Sequence, residues 1–146
     1  MEAAEAFFKQ VGKVTIRVNK EVPAHVANRL QAALWREAIH LVEDGVASVE
    51  DVDTAVWAGP GLRWAAMGPH RLFHLGAGEG GMEEFCNRYG DSFHRWWDDL
   101  GDVKLNPELA TKLMKGVQEE SGGKTPLEGS RDRDALIVAM LKGTKD

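Results

Sequence analysis

The sequence contains a single cysteine, Cys86, among its 146 residues, so the chain alone cannot form a disulfide. A zinc site built from a cluster of cysteines is excluded for the same reason. Such sparse use of cysteine suits a reducing compartment. The first residues, MEAAEAFFKQVGK, are acidic and amphipathic and carry no apolar signal-peptide core, so we expect a cytoplasmic protein.

The chain also lacks an excess of positive charge and any long apolar run. It has 18 Lys and Arg against 23 Asp and Glu, which gives a net charge of −5. Nucleic-acid-binding surfaces show clustered Lys and Arg instead. No apolar run approaches the roughly 20 residues that span a bilayer. We therefore expect neither nucleic acid nor a membrane as partner, and the average hydrophobic content predicts one folded domain with a core.

Only one segment of the sequence is typical of a β-strand. Residues 13–19, KVTIRVN, alternate apolar and polar side chains with a period of two. A single strand cannot satisfy its own backbone groups. Either the strand prediction is wrong, or its partner strands lie in another polypeptide or in a part of the parent protein outside this chain. We favour the last, although pairing with a second copy is also open.

Helical patterns dominate the remaining sequence. We expect the first helix to end at Gly12, the long helix to start near Pro23 and end at Gly45, and Trp57 to lie on a buried side. The predicted helices cover residues 2–10, 23–44, 49–57 after the N-cap Ser48, 69–75, 82–100 with a break near Gly90, 107–121 after the N-cap Asn106, and 131–143.

The segment 58–75, AGPGLRWAAMGPHRLFHL, places rigid, aromatic and cationic residues at one bend. Arginine can hold a carboxylate through two parallel hydrogen bonds, and a tryptophan face can hold a quaternary ammonium group. The alternative is core packing around a rigid corner. No HExxH pattern or third ligand accompanies the histidines, so we expect no metal site. The candidate substrate-binding residues in and beside this bend are Trp57, Arg63, Trp64, Met67 and His70.

Asn28 is a candidate functional residue in the long predicted helix. Asparagine is a poor helix former because its amide competes for backbone partners. The side chain either faces solvent or bonds back to the helix, or it points into a cleft, where an amide donates to and accepts from a substrate.

The glycines of GAGEGG at 76–81 match the GxGxxG spacing of dinucleotide-binding turns. They follow a predicted short helix rather than a strand, so the structural setting for a pyrophosphate is missing. No arrangement of Ser, His and Asp or of Cys and His suggests a nucleophile. The chain alone is therefore not typical of a complete enzyme.

Three segments carry a resemblance to a known family: GKVTIRVNKEVPAHVANRL at 12–30, SVEDVDTAV at 48–56 and MGPHRLFHL at 67–75. In this order and spacing they resemble the C-terminal part of the L-3-hydroxyacyl-CoA dehydrogenase family. The stretch GPGLRWAAMGP is closer to the carnitine dehydrogenase and gulonate dehydrogenase (lambda-crystallin) branch than to the fatty acyl-CoA enzymes.

This resemblance implies an all-α fold. Residues 21–146 would form the helical substrate-side and dimerisation domain of a 6-phosphogluconate and hydroxyacyl-CoA dehydrogenase-like fold. Residues 1–20 would be the last helix and edge strand of a Rossmann domain that is otherwise outside the chain. That domain would bind NAD, so no cofactor is expected in this chain. The catalytic asparagine of the family maps on Asn28, which would hydrogen-bond the substrate beside the nicotinamide.

The resemblance also implies an activity for the intact parent: a homodimeric NAD-dependent 3-hydroxy-acid dehydrogenase, with carnitine preferred. Ala24 replaces the usual glycine of the family and GLRW precedes Met67, which fits a small polar hydroxy acid better than a long acyl-CoA. On this hypothesis Arg63 binds a carboxylate, and Trp57 or Trp64 forms an aromatic wall. The alternatives are a stand-alone helical dimer or interaction module without catalysis, and a dehydrogenase of short acyl-CoA.

Overall fold

A computed structural model describes residues 2–143, and this range contains eight α-helices and no strand. The all-α prediction is confirmed. A wide, kinked turn at Trp57–Gly61 joins α3 to α4, and a short 3₁₀ turn at Gly78–Gly80 precedes α6. The helices are α1 Glu2–Gln10, α2 His25–Glu43, α3 Val49–Val56, α4 Leu62–Ala66, α5 Pro69–Gly76, α6 Gly81–Asp99, α7 Pro107–Glu120 and α8 Pro126–Gly143.

The strand predicted over 13–19 is wrong for this structure, in which residues 13–18 have no regular secondary structure. A strand needs a neighbour for its ladder of hydrogen bonds, and the described range offers none. Val14 is 97% exposed. Arg17 instead donates to the Glu5 carboxylate of α1 from two nitrogens, at 2.7 and 2.8 Å. The assignment of residues 1–20 to a Rossmann domain stays a prediction.

Two compact units divide the chain, one ending at Trp35 and the other beginning at Arg36. The first unit holds α1, the irregular segment after it and the first half of α2. Pro23 precedes α2, because Ala24 and His25 both have left-handed backbone angles, with φ of +64° and +53°. Helix α1 ends as predicted, with Gly12 at φ +73°. None of the described residues of this unit is buried.

The core of the second unit joins α2, α3 and α7. Ile39 and Val42 of α2, Val52 of α3 and Leu109 of α7 are its buried apolar residues. The Lys112 ammonium donates to the carbonyl oxygens of Val42 and of its neighbour in the chain, at the C-terminal end of α2. This contact satisfies carbonyls that the end of a helix leaves without partners, and it ties α7 to α2.

Local capping chemistry sets several helix starts. The Ser48 hydroxyl accepts from the Asp51 N–H at 3.0 Å, and Asn106 Oδ1 accepts from the Leu109 N–H at 2.8 Å, so both N-cap predictions are confirmed. The predicted break near Gly90 is wrong, because α6 continues through it. One glycine costs a helix only about 1 kcal/mol, which packing can offset.

Helix α8 begins at Pro126 and not at Arg131, as the sequence analysis expected. The Thr125 N–H donates to Glu128 Oε2 at 2.9 Å, and the Glu128 N–H donates to the Thr125 hydroxyl at 3.3 Å. This reciprocal pair is a capping box, with Pro126 at the first helical position. None of the residues of α8 is buried. In the described part of the chain no helix is both long and apolar enough to cross a membrane.

Candidate functional site

The first candidate site is a shallow groove of about 210 Å³ on α2, lined by Asn28, Gln31, Ala32 and Trp35. The spacing i, i+3, i+4 and i+7 puts these side chains on one helical face. Asn28 is exposed, and neither its amide nor that of Gln31 forms a hydrogen bond within residues 2–143. The amide does not bond back to its own helix. It faces the groove and the solvent that fills it.

The turn that enters α2 lies directly before this groove. The His25 N–H donates to the Val22 carbonyl at 3.2 Å, while Ala24 and His25 both hold left-handed backbone angles. Side chains other than glycine rarely adopt this conformation, and each instance costs about 1 kcal/mol or more. The turn therefore fixes where α2 begins, and with it the position of Asn28 one turn later.

The second candidate site is the bend between α3 and α5, in the second unit. Gly59 departs from helical geometry, and a Cβ on Gly61 would lie 2.8 Å from the Val56 carbonyl oxygen, so the chain passes too close to α3 for a side chain there. After α4 the backbone becomes extended at Met67, with φ of −157° and ψ of 155°. This corner reorients the chain into α5, whose predicted extent of 69–75 is nearly that observed.

The substrate-binding residues predicted at this bend are mostly on the surface. Trp57 is 62% exposed, so its predicted buried position is wrong: α3 ends at Val56 and the wide turn carries the indole outward. Arg63 is exposed and forms no ion pair within residues 2–143. Trp64 is 37% exposed and Met67 is half-buried. Their binding roles stay predictions.

His70 is the one predicted residue that lines a groove of about 400 Å³ between α5 and α6. Aromatic rings form most of its wall: Phe73 stacks on Phe85 with centroids 4.8 Å apart and meets Phe93 edge to face at 5.6 Å. The groove is lined by Pro69, His70, Phe73, Met82, Phe85, Cys86, Gly90, Phe93, His94 and Trp97.

Sequence reasoning missed this aromatic cluster although the signal was present. Phe85, Tyr89, Phe93 and Trp97 follow one another at intervals of four residues on α6. That spacing puts them on one helical face. Trp96 and Trp97 of α6 are 57% and 59% exposed, so neither lies in the core.

Gly80 and Gly81, at the junction between α5 and α6, allow close packing. Gly81 has φ +56°, and a Cβ there would lie 2.5 Å from His74 Cε1. The Met82 N–H donates to His74 Nδ1 at 3.0 Å, so the imidazole occupies the N-terminal end of α6. The GAGEGG stretch is thus a turn between two helices, and the imidazole stands where a bound phosphate would have to lie.

One cluster of possible metal ligands exists in the described part of the chain. His40, Glu43 and Asp44 each offer one atom, and these atoms lie within 4.8 Å of one another at the end of α2. The Lys112 ammonium binds the carbonyl oxygens of Val42 and Glu43 in the same turn, and its charge opposes a bound cation. The expectation of no metal site stays a prediction.

The carboxyl groups whose pKa values are shifted lie outside both grooves. The Arg17 guanidinium lowers the pKa of Glu5, because it hydrogen-bonds the ionised carboxylate. Partial burial raises the pKa of Glu120, and the neighbouring carboxylates of Asp53 and Glu50 add to the shift. The grooves therefore offer amides, imidazoles and aromatic faces to a ligand.

Comparison with known proteins agrees with the sequence resemblance. Residues 25–120 match the family model of the 3-hydroxyacyl-CoA dehydrogenase, C-terminal domain. The chain is 41% identical over 141 residues to the L-carnitine dehydrogenase of Streptomyces coelicolor, a match that covers 97% of the chain and 44% of that protein. It is 37% identical over 145 residues to the L-carnitine dehydrogenase of Pseudomonas putida, covering 99% of the chain and 45% of the relative.

A third relative, the L-carnitine dehydrogenase of Nocardiopsis dassonvillei, is 37% identical over 143 residues, with 98% of the chain and 44% of the relative covered. The chain thus spans less than half the length of the curated relatives it matches. The family match extends over α2 to α7, the helices that carry both grooves and the bend. The chain belongs to the 3-hydroxyacyl-CoA dehydrogenase family and corresponds to its C-terminal domain.

Proposed function

We propose that this chain is the C-terminal, substrate-side domain of an NAD-dependent 3-hydroxy-acid dehydrogenase that acts on L-carnitine. The intact enzyme would oxidise the secondary alcohol of the substrate to a 3-keto acid. The observation that carries this proposal is the similarity, over nearly the whole chain, to proteins named L-carnitine dehydrogenase at 34–41% identity. The sparse cysteine supports a cytoplasmic location.

The residues of this chain do not fit an NAD site. Its one glycine pattern of the right spacing is closed by the His74 imidazole at Gly81, and no strand precedes it from residue 2 onward. We therefore assign NAD to the part of the parent protein outside this chain, in a Rossmann domain. The contribution of this domain is to bind and orient the substrate, while the cofactor supplies the redox chemistry.

Asn28 is the proposed catalytic group of this domain. Its amide N–H would donate to the substrate hydroxyl oxygen and hold that carbon in place for oxidation. The exposed amide, which lacks a hydrogen-bond partner in the described range, supports this role. An amide without a protein partner can bind a substrate without first breaking a protein hydrogen bond.

The bend, in the second unit, carries the other residues that we propose to bind substrate. We assign the substrate carboxylate to Arg63, whose guanidinium is exposed and without an ion pair among residues 2–143. Trp57 or Trp64 would form an aromatic wall for the trimethylammonium group. Met67 would hold the corner, and His70 would line the wall from the α5–α6 groove.

The test uses the intact parent protein, assayed by NADH absorbance with L-carnitine, 3-hydroxybutyrate and a short 3-hydroxyacyl-CoA. We expect turnover of L-carnitine, and Asn28→Ala should lower kcat/KM by about 100-fold, the loss typical of one oriented donor. Asn87→Ala is the matched control, because Asn87 is also an exposed helical asparagine but lines neither groove. Equal activity of the two variants would refute the role of Asn28.

A homodimer is the proposed assembly. Helix α8 buries none of its residues although it carries the exposed apolar side chains of Leu136, Ile137, Val138 and Met140. Exposed apolar surface of this kind marks interaction sites. Light scattering should give twice the chain mass. The second candidate, a helical interaction module without catalysis, rests on the same exposed surface, and it gains if the intact parent dimerises but turns over no hydroxy acid.

A further inference from the structure

Trp35 lies on the same face of α2 as Asn28, two helical turns further along. The two Cα positions are separated by about 10 Å along the axis at the ordinary rise of an α-helix. Long helical side chains lean toward the N-terminal end of their helix, so the indole extends back over the turn that carries Gln31 and Ala32. The lining of the groove reflects this arrangement: Asn28 and Trp35 form its ends, with Gln31 and Ala32 between.

The exposure of Trp35 has no structural explanation within its own unit. The side chain is 54% exposed, and its ring stacks on no other aromatic ring within residues 2–143. Tryptophan is strongly buried on average, because its large apolar surface is costly to leave in water. An indole presented beside two unpartnered amides is available to a ligand.

No ionised side chain lines the groove, and this limits the kinds of ligand that the groove can bind. Its lining consists of two primary amides, one methyl group and one indole. Amides donate to and accept from hydroxyl and carboxylate oxygens. An indole face attracts a cation more strongly than the other aromatic side chains do, and it favours quaternary ammonium groups. Ala32 leaves room over the helix for a small molecule.

We propose that Trp35 and Gln31 are substrate-binding residues that determine specificity. The Trp35 indole holds the quaternary ammonium end of a small hydroxy acid, and the Gln31 amide contacts its oxygens beside Asn28. This inference rests on the proposed function and extends it to residues that no sequence motif singled out. It assigns the ammonium group to Trp35 in place of Trp57 or Trp64, because Trp35 lines the same groove as Asn28 within the first unit.

The experiment compares a charged substrate with its neutral isostere in the intact parent protein. L-Carnitine is the charged probe, and racemic 3-hydroxy-5,5-dimethylhexanoate, in which carbon replaces the quaternary nitrogen, is the neutral one. We expect Trp35→Leu to raise KM for L-carnitine by about 2- to 30-fold, the range of cation–π attraction from exposed to desolvated sites. For the neutral isostere KM should rise by a clearly smaller factor.

Three further variants separate effects on binding from effects on folding. Trp35→Phe keeps an aromatic face and should recover most of the affinity for L-carnitine. Trp96→Leu removes an indole of similar exposure from α6 and should leave KM unchanged for both probes. Gln31→Leu should raise KM for both probes by the same factor, because the amide contact does not depend on the ammonium charge.

Each outcome decides the assignment. A KM for Trp35→Leu that rises equally for both probes, or that matches the Trp96→Leu control, would overturn the role of Trp35 while leaving the dehydrogenase intact. A wild-type parent that oxidises neither probe would overturn the proposed function, and this assignment with it. If Trp35→Leu unfolds by circular dichroism, the comparison of Trp35→Phe with wild type carries the test: a rise in KM for L-carnitine alone supports the assignment, because phenylalanine attracts a cation more weakly than tryptophan, and an unchanged KM or equal changes for both probes overturn it.

Discussion

Gly116 lies in α7 where this helix packs against α3. A Cβ placed on it would lie 2.3 Å from Val49 Cγ2 and 2.8 Å from Val49 Cβ. Non-bonded carbon atoms do not approach this closely, so a side chain at position 116 forces Val49 or one of the two helices to move. The Val49 methyl can rotate away, but its Cβ is fixed to the backbone of α3. We therefore expect Gly116→Ala to push α3 and α7 apart.

Two opposing effects determine how much Gly116→Ala changes the free energy of unfolding. Replacing glycine by alanine inside a helix stabilises it by up to about 1 kcal/mol. Overpacking a filled contact costs about 1–3 kcal/mol. The net effect of Gly116→Ala is therefore destabilisation by up to about 2 kcal/mol. Gly90 is the matched control: it is also inside a helix, but a Cβ there meets nothing within 4 Å. Gly90→Ala should stabilise the chain by up to about 1 kcal/mol.

Urea unfolding followed by far-ultraviolet circular dichroism measures both variants. With a slope of about 2 kcal/mol per molar urea, the midpoints of the two should differ by about 0.5–1.5 M. Val49→Ala removes both methyl groups, so in the background of Gly116→Ala it should cost less than it does alone, giving a coupling energy of about 0.5 kcal/mol or more. A Gly116→Ala variant as stable as Gly90→Ala would refute the reasoning.

Two other predictions concern the turn before α2 and a shifted carboxyl group. Ala24→Gly relieves one left-handed backbone angle and should stabilise the start of α2 by about 1 kcal/mol, seen as slower amide exchange near His25; unchanged exchange would contradict the strain. The pKa of Glu120 is raised in the folded state by burial and by Asp53 and Glu50, so its ionisation destabilises the fold above that pKa. Glu120→Gln should therefore unfold at a higher temperature than wild type at pH 7, with the difference vanishing below about pH 4.5; an equal difference at both pH values would contradict this.

Helix caps and helix ends could be predicted from the sequence, because they depend on residues only a few positions apart. Ser48 and Asn106 cap helices because an N-cap bond spans only three residues, and Gly12 ends α1 because its left-handed angle is a property of glycine. The start of α8 was also predictable, since Thr125 and Glu128 have the spacing of a capping box. The glycines and Pro126 of GGKTPLEGS are typical of a loop, so the predicted helix begins only at Arg131.

What depends on distant contacts was not predictable. Val14 and its alternating neighbours have the pattern of a strand, but a strand forms only where another one lies beside it. Helical periodicity predicts a buried Trp57. The wide turn at Trp57–Gly61 breaks this periodicity, and it depends on the close approach of Gly61 to the Val56 carbonyl. The role of Asn28 follows from the family resemblance. Trp35 belongs to no motif, and only the groove that it lines with Asn28 indicates a binding role for it.

The corner between α5 and α6 has an evolutionary consequence. The His74 imidazole occupies the volume that any side chain at position 81 would need, so the histidine and the glycine depend on each other. Substitution at either position alone leaves a hole or a collision. Descendants of this gene should accordingly keep both residues or exchange both together, and a lineage that altered one would have to rebuild the helix junction.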